Sequence, residues 1–205
     1  MDLVEEIVPL RDRELAVLRP RDSEALIDEE AFARDERMPY WAELWPSGIA
    51  LARMVAARSL RGRRVVELGC GGLALPSIAA ALAGARVLAT DWEEEALALA
   101  RRNAERNGAE IETATCAWER PEGLVDRGPW DLVLAADVLY ERRHVAPLAA
   151  LLPRLVAERG EVWLADPNRP PMGEFLDTVG RALTVRSSGE RDPPGVGIHV
   201  LRRAG

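Results

Sequence analysis

The sequence contains no lysine, and all 27 of its basic residues are arginines. A coding bias in a GC-rich genome explains this absence most simply. Its chemical consequence is definite, because a Schiff-base lysine, a tyrosine–lysine proton relay and the lysine of a phosphate-binding loop are all excluded.

Cysteine and histidine are also scarce, with two residues of each in a chain of 205. Cys70 and Cys116 form no C-x-x-C pair, which disfavours a zinc site and a disulfide framework. Acidic rather than basic residues follow Met1, and no run of about 18 apolar residues is present, so the sequence predicts neither a signal peptide nor a membrane span. We expect a cytosolic protein whose two thiols are reduced.

The chain is acidic, with a net charge of −7 and a pI of about 5.1. A protein that grips phosphates over a broad face usually has a basic balance, so nucleic acid is disfavoured as a partner and a basic protein surface or a small molecule fits better. The length and the 48% hydrophobic content fit one domain with an N-terminal extension. We expect an extension and lid segment over residues 1–45 and a single domain over residues 46–205. Nothing in the sequence indicates an oligomeric state.

The spacing of apolar residues predicts alternating strands and helices from residue 46 onward. Strands are predicted at residues 65–68, 86–90, 111–115, 131–135, 161–165, 184–187 and 196–201. Helices are predicted at residues 46–59, 75–82, 93–107, 144–157 and 174–183. Before residue 46, short strands are predicted at 4–10 and 14–18 and a short helix at 23–34.

This alternation predicts an α/β fold, in which helices cover both faces of a doubly wound, mostly parallel, seven-stranded Rossmann-like sheet. The loop 189–195 has no room for a helix, so the last two strands should pair antiparallel as a C-terminal hairpin. Dinucleotide dehydrogenases do not end in this way. In such sheets a ligand binds outside the carboxyl ends of the strands, at the point where the strand order reverses.

The first strand of the domain ends in a glycine-rich turn that allows a ligand to approach the backbone closely. Gly69 and Gly71, with Ala74, also satisfy the dinucleotide-binding pattern G-x-G-x-x-G/A, so the turn alone does not identify the cofactor. Glu67 discriminates, because a carboxylate at the strand end repels a pyrophosphate. It suits a ligand that carries an ammonium and a sulfonium group.

The next two strands end in further candidate cofactor contacts. Asp91 lies 24 residues after Glu67, near the spacing of about 20 expected for an acid that binds ribose hydroxyls. Trp92 could cover an adenine ring or be a half-buried surface aromatic. Trp118 could lie at the adenine edge or serve ordinary packing, and Cys116 beside it is interpreted as part of a small apolar wall.

The fourth strand of the domain ends in Ala136, Asp137 and, three residues later, Tyr140. A carboxylate and a phenol emerge together at the chemical end of the sheet, which favours a catalytic role. The alternative is that Asp137 only caps the turn that follows. Upstream, the aromatic and proline-rich segment 39–48 is either a hydrophobic plug over the sheet edge or a lid that closes the site from water.

Five segments together resemble the family 16 methyltransferases, the seven-strand, non-SET protein lysine methyltransferases and their bacterial relatives. They are residues 39–48, 67–71, 75–77, 89–92 and 137–140. The resemblance covers roughly residues 38 to 170 and is most specific in the Trp45-Pro46 segment and the D-x-x-Y turn. It implies a class I fold and S-adenosylmethionine as the methyl donor.

The resemblance also assigns roles to residues. It implies that Glu67, Gly69 and Gly71 line the methionine end of the cofactor, that Asp91 holds the ribose, and that Trp45 contacts the cofactor from the N-terminal segment. By the same resemblance Trp92 and Trp118 would flank the adenine. Cys116 and Ala136, at the ends of their strands, are also expected at the cofactor. Asp137 and Tyr140 would lie at the acceptor amine.

The expected reaction is therefore N-methylation of a lysine on a partner protein, since the chain has no lysine of its own to modify. A small-molecule N-methyltransferase on the same fold is the first alternative. An NAD(P)-dependent oxidoreductase and a non-catalytic binding module are weaker ones. The sequence departs from the family at Gly72, because Gly72-Leu73-Ala74 makes the glycine loop one residue longer than usual.

Overall fold

The computed structural model describes residues 1–27, 38–191 and 193–203. Its strands are β1 (Leu3–Pro9), β2 (Glu14–Pro20), β3 (Arg64–Leu68), β4 (Arg86–Asp91), β5 (Glu112–Thr115), β6 (Trp130–Ala136), β7 (Val156–Asp166), β8 (Leu183–Arg191) and β9 (Pro194–Arg203). Its α-helices are α1 (Pro46–Ala56), α2 (Leu75–Leu82), α3 (Glu94–Arg106), α4 (Glu122–Val125), α5 (Val145–Leu155) and α6 (Pro170–Val179).

Seven of the strands form one sheet in the order β5-β4-β3-β6-β7-β9-β8. The first five are parallel, while β9 pairs antiparallel with both β7 and β8. The predicted fold class, with its C-terminal antiparallel hairpin, is confirmed. The chain winds outward from β3 in both directions, so the crevice between β3 and β6 is the switch point where ligands bind in such folds.

Apolar residues cover both faces of the sheet, as helices on both sides require. On one face α1 and α2 pack with the N-terminal hairpin, burying residues such as Leu51, Ile78 and Leu15. On the other face α5 and α6 bury Leu148 and Phe175. Among the described residues, no helix is long and apolar enough to cross a membrane.

The two strands predicted at the N-terminus form an antiparallel hairpin, β1–β2. Asn103 of α3 and Asn107, which directly follows α3, hold this hairpin against the domain. Asn103 accepts from the Leu18 N–H at 2.7 Å and donates to the Leu18 carbonyl at 2.9 Å, while Asn107 bonds both backbone groups of Ala16 at 3.0 Å. The side-chain amides thus pair with β2 as a neighbouring strand would.

Some predicted boundaries were wrong. The last helix begins at Pro170 rather than residue 174, because two prolines form its first turn, where a missing N–H costs no hydrogen bond. Strand β7 begins at Val156, directly after α5, and β8 continues through Gly189 to Arg191. The predicted helix 23–34 starts with a short 3-10 turn at Glu24–Leu26, and its residues 28–34 lie outside the described ones.

Candidate active site

A cavity of about 550 Å³ opens at the carboxyl ends of the central strands, at the switch point of the sheet. Its volume falls in the range of roughly 300–1,000 Å³ typical of cofactor sites. The predicted site residues that line it are Trp45, Glu67, Gly69, Gly71, Asp91, Trp92, Trp118, Ala136, Asp137 and Tyr140. These residues are up to 95 positions apart along the chain, and the strand ends bring them together.

The glycine turn after β3 is open toward this cavity. Gly69 and Gly71 have φ angles of 65° and 60°, a left-handed conformation that side chains disfavour. A Cβ on Gly69 would lie 3.1 Å from the Val138 side chain, and one on Gly71 would lie 3.3 Å from the Trp41 carbonyl. The turn therefore presents bare backbone where a ligand can approach.

Asp91 ends β4 and is oriented by the glycine turn. Its Oδ2 accepts from the Gly71 N–H at 2.9 Å, and its Oδ1 accepts from the Glu93 N–H at 3.1 Å. Burial raises the pKa of Asp91 above its ordinary value. Because each carboxylate oxygen has a second lone pair, the group can still accept bonds from two hydroxyls.

Glu67 lies at the bottom of the cavity and is only 1% exposed. Its Oε2 accepts from the Ser77 N–H at 2.8 Å and from the Ser77 hydroxyl at 2.5 Å, at the start of α2. Burial outweighs these bonds and raises the pKa of Glu67 from 4.5 to about 8. A cation that enters the cavity would ionise this carboxyl group and gain a buried partner.

Asp137 follows β6 in a strained backbone conformation. Its φ is 57°, which is uncommon outside glycine, and its N–H donates to the Ala165 carbonyl at 2.8 Å. The Arg169 Nε donates to the Asp137 Oδ1 at 2.7 Å. Strain that is over-determined in this way clusters at functional sites, so Asp137 is a stronger candidate than a simple turn cap.

Aromatic rings line the cavity beside Asp137. Tyr40 meets Tyr140 edge-on with ring centroids 5.2 Å apart, and it meets Trp45 at 6.0 Å. The Arg169 guanidinium lies 5.7 Å from the Trp45 ring centroid, in cation–π range. Burial raises the pKa of Tyr140 to about 12, so its phenol stays neutral at ordinary pH. The aromatic rings and the Asp137 carboxylate together form a surface that can accept a cation.

Two tryptophans, Trp92 and Trp118, also line the cavity. Trp118 lies beside Gly69 and contacts the His144 ring edge-on at 5.5 Å. Trp92 is 43% exposed, so it lies at the opening rather than in the core.

Cys116 was predicted as a cofactor contact, but it does not line the cavity. Its N–H donates to the Asp91 carbonyl at 2.9 Å, and its side chain packs against the apolar cluster on the α5–α6 face of the sheet. Cys70 lines the cavity instead, because it lies within the glycine turn itself. Burial raises the pKa of the Cys70 thiol well above its ordinary value, so it is not a reactive thiolate.

A profile of the lysine methyltransferase family matches residues 31–179, most of the chain. The chain belongs to this family. The match contains the aromatic segment, the glycine turn, Asp91, the Asp137-to-Tyr140 turn and Arg169, which is the whole lining described above.

Two similar proteins are also lysine methyltransferases. The chain is 36% identical over 137 residues to the electron transfer flavoprotein beta subunit lysine methyltransferase of Xenopus laevis, covering 64% of this chain and 53% of the relative. It is 32% identical over 178 residues to the protein N-lysine methyltransferase METTL21A of Danio rerio, covering 82% and 78%. The chain thus spans about half the length of the Xenopus protein.

The fold also matches solved structures. A TehB-like S-adenosylmethionine-dependent methyltransferase from Corynebacterium glutamicum superposes with a TM-score of 0.63 at 17% identity, covering 85% of this chain and 97% of that one. The family is therefore that of the lysine methyltransferases, and the fold is one that S-adenosylmethionine-dependent methyltransferases share. Among residues 1–27, 38–191 and 193–203, no group of three histidine, cysteine or acidic side chains is placed to hold a metal ion.

Gly72, the extra residue of the glycine loop, lies in a closely packed position. The Gly72 N–H donates to the Trp41 carbonyl at 2.8 Å, and its own carbonyl accepts from Asn103 at 2.9 Å. A Cβ at Gly72 would lie 2.8 Å from the Leu99 Cδ2 and 3.1 Å from the Trp41 ring. Gly72 therefore faces the aromatic segment and α3, while Ala74, at φ 45°, turns the chain into α2.

Arg169 is the site residue that the sequence analysis missed. It follows β7, whose carboxyl end neighbours that of β6, so the topology brings it to Asp137. The backbone N–H of Arg169 donates to the Asp166 Oδ1 at 2.7 Å, which fixes the backbone from which the Arg169 side chain extends. The sequence contained a signal for this position, because residues 166–170 read Asp-Pro-Asn-Arg-Pro and directly follow a predicted strand.

Proposed function

We propose that this protein transfers a methyl group from S-adenosylmethionine to a lysine side chain of another protein. The observation that carries the proposal is one cavity lined by carboxylates in two places, Glu67 and Asp91 beside the glycine turn and Asp137 beside the aromatic rings. A cationic cofactor and an amine acceptor are the ligand pair that such a cavity suits. Family membership supports the same reaction.

The lining residues fit S-adenosylmethionine. The backbone of Gly69 and Gly71 lines the cavity without side chains, and both oxygens of Asp91 keep capacity for ribose hydroxyls. Glu67 would balance the methionine ammonium, and Trp92 and Trp118 would flank the adenine. Trp45 and Ala136 would complete the enclosure.

The cofactor, when bound, supplies an electrophilic methyl group, and the protein residues bring the acceptor into line with it. A lysine amine must lose a proton first, against a reference pKa of about 10.4. The aromatic surroundings of Tyr40, Trp45 and Tyr140 favour the neutral amine, whereas the Asp137 carboxylate favours the charged one. We therefore assign Asp137 the task of positioning the amine rather than of removing its proton.

Tyr140 and Arg169 act beside Asp137 in this account. The neutral phenol of Tyr140 can donate or accept a hydrogen bond at the acceptor nitrogen. Arg169 fixes the rotamer of Asp137 through its 2.7 Å bond and rests on Trp45. The arginine thus links the carboxylate to the aromatic segment.

Two further assignments go with the proposal. Residues 1–45 form an extension whose aromatic end serves as a lid, and residues 46–205 form the methyltransferase domain; the contacts of Trp41 with Gly71 and Gly72 support the lid. The reaction is placed in the cytosol, where the unpaired thiols of Cys70 and Cys116 would stay reduced.

The experiment incubates the purified protein with tritiated S-adenosylmethionine and a cell lysate, then separates macromolecules from small molecules. Label is expected in the protein fraction. Because the chain contains no lysine, labelling of the enzyme's own lysines contributes no background. The Asp137→Asn variant, whose side chain tolerates the left-handed backbone, should lose about tenfold or more of the transfer.

Binding of S-adenosylhomocysteine to Asp137→Asn, measured by calorimetry, is the control and should match the wild type. Label that appears only in the small-molecule fraction would favour the small-molecule N-methyltransferase. Binding of NAD in place of S-adenosylhomocysteine would favour the oxidoreductase and contradict the proposal.

A further inference from the structure

A second cavity, of about 500 Å³, lies on the α1 face of the sheet, away from the carboxyl edge. We call it the arginine groove. Its charged lining residues are Arg58, Arg63, Arg159, Arg186 and Arg202, with Glu161 as the acid. Five arginines around one cavity are notable in a chain whose net charge is −7.

The strand register explains why several of these side chains converge. Arg186 of β8 pairs with Val200 of β9, and Val200 pairs with Trp163 of β7. Two residues along β9, Arg202 pairs with Glu161. Because alternate residues of a strand share a face, both rows point into the groove.

The Glu161 carboxylate already has hydrogen-bond partners within the groove. Its Oε1 accepts from the Arg202 Nε at 2.7 Å, and its Oε2 accepts from the Trp163 Nε1 at 2.6 Å. Among the described residues, the side chains of Arg58, Arg159 and Arg186 form no ion pair or hydrogen bond, while Arg63 interacts electrostatically with Glu161. Three guanidinium groups are therefore available to a ligand, and Arg63 shares the Glu161 carboxylate with Arg202.

The rest of the lining narrows the chemistry of that ligand. Ser188 presents a hydroxyl beside the arginines, and Leu60, Leu132 and Val200 supply apolar surface. Guanidinium groups bind phosphate through paired, charge-assisted hydrogen bonds. A cavity of this volume holds a small molecule, whereas a nucleic acid needs a longer basic surface.

We propose that the arginine groove binds a small molecule that carries at least two phosphate groups. A ligand with a single phosphate would leave most of the available guanidinium groups without a partner. The groove is separate from the methyl-transfer cavity, because Glu161 and Asp166 lie five residues apart on β7, about 16 Å along the strand. The proposal therefore does not depend on the methyltransferase reaction.

The test titrates the full-length protein with inorganic pyrophosphate in a calorimeter at near-physiological ionic strength. One saturable site per chain is expected. Arg63→Gln and Arg186→Gln should each weaken the affinity about tenfold, while Arg102→Gln, an exposed arginine of α3 outside the groove, should leave it unchanged. S-adenosylhomocysteine should bind all variants equally, which verifies that each has folded.

Three outcomes would overturn the proposal. The absence of saturable binding would do so, as would an equal loss in Arg102→Gln. Inorganic phosphate that binds as tightly as pyrophosphate would contradict the need for a second phosphate. A peptide of six glutamates that binds more tightly than pyrophosphate would show that the groove recognises an acidic polypeptide instead.

Discussion

At the scale of single residues, the site depends on acidic groups whose surroundings differ. Glu67 is buried beneath the glycine turn with a pKa of about 8, whereas Asp137 lies in a strained turn against Arg169. The sequence predicted both positions, because Glu67 lies at the end of one buried strand and Asp137 directly follows another, both at the carboxyl edge of the sheet. It did not predict Arg169, whose role arises only when β7 lies beside β6.

Glu67 should make the stability of the ligand-free protein depend on pH. Its pKa is raised from 4.5 to about 8 on folding, so the folded state holds an extra proton between these values. The stabilisation is complete below about pH 4.5 and is lost as the pH rises through about 8. Glu67→Gln cannot ionise, so its free energy of unfolding should fall less than that of the wild type over this interval.

Denaturant unfolding at a series of pH values measures this difference. Asp91 and Asp166 also have raised pKa values, but both are present in the two proteins, so only the electrostatic interaction of Asp91 with Glu67 differs between them. Parallel stability curves for the two proteins between pH 5 and 8 would show that Glu67 is ionised throughout.

Arg169 should matter for transfer more than for cofactor binding. Arg169→Met keeps an apolar stem on Trp45 but removes the bond to Asp137, so the carboxylate loses its fixed rotamer. We expect kcat to fall by about tenfold or more while the Kd for S-adenosylhomocysteine stays within about twofold. Arg142→Met, an exposed arginine paired with Glu174, is the control and should leave kcat unchanged.

At the scale of elements, the glycine turn connects β3 to α2 and also supports the aromatic segment. The sequence predicted α2 at its observed bounds, because Pro76 marks its first turn and apolar residues follow. It could not assign Gly72, since its partners Trp41 and Leu99 come from distant parts of the chain. The start of α6 at Pro170 was missed although its prolines mark a first turn, whereas the extension of β7 to Val156 was missed because its pairing with Trp130, and not the local pattern, determines it.

Gly72→Ala tests that packing. The added Cβ would lie 2.8 Å from the buried Leu99, so we expect a loss of about 1–3 kcal/mol in the free energy of unfolding. Gly173→Ala is the matched control, because its Cβ meets nothing within 4 Å inside α6 and should stabilise by about 0.5–1 kcal/mol. Equal melting temperatures for the two variants would contradict the assigned packing.

At the scale of the whole molecule, one chain combines two oppositely charged cavities with a hairpin fastened to α3. The two strands of the hairpin were predicted from alternating apolar residues, but their attachment to the domain was not, because it depends on the side-chain amides of asparagines. Asn103 is fully buried and bonds both Leu18 and Gly72, so it connects the hairpin to the glycine turn.

Asn103→Ala should therefore destabilise the entire protein. It leaves the buried Gly72 carbonyl without this partner, which costs about 1–3 kcal/mol, and it also removes two part-buried bonds to the Leu18 backbone. Arg102→Ala, its exposed neighbour on α3, should change the free energy of unfolding by less than about 0.5 kcal/mol. Equal free energies of unfolding for Asn103→Ala and Arg102→Ala would contradict this prediction. They would show that the hairpin unfolds independently of the rest of the protein.

The central claim concerns which atom receives the methyl group. The measurement that tests it most directly is tandem mass spectrometry of the protein that takes up label from tritiated S-adenosylmethionine. The account predicts a methylated lysine on a partner protein, present with the wild type and strongly reduced with Asp137→Asn. Methyl groups found on another side chain, or found equally with both enzymes, would contradict it.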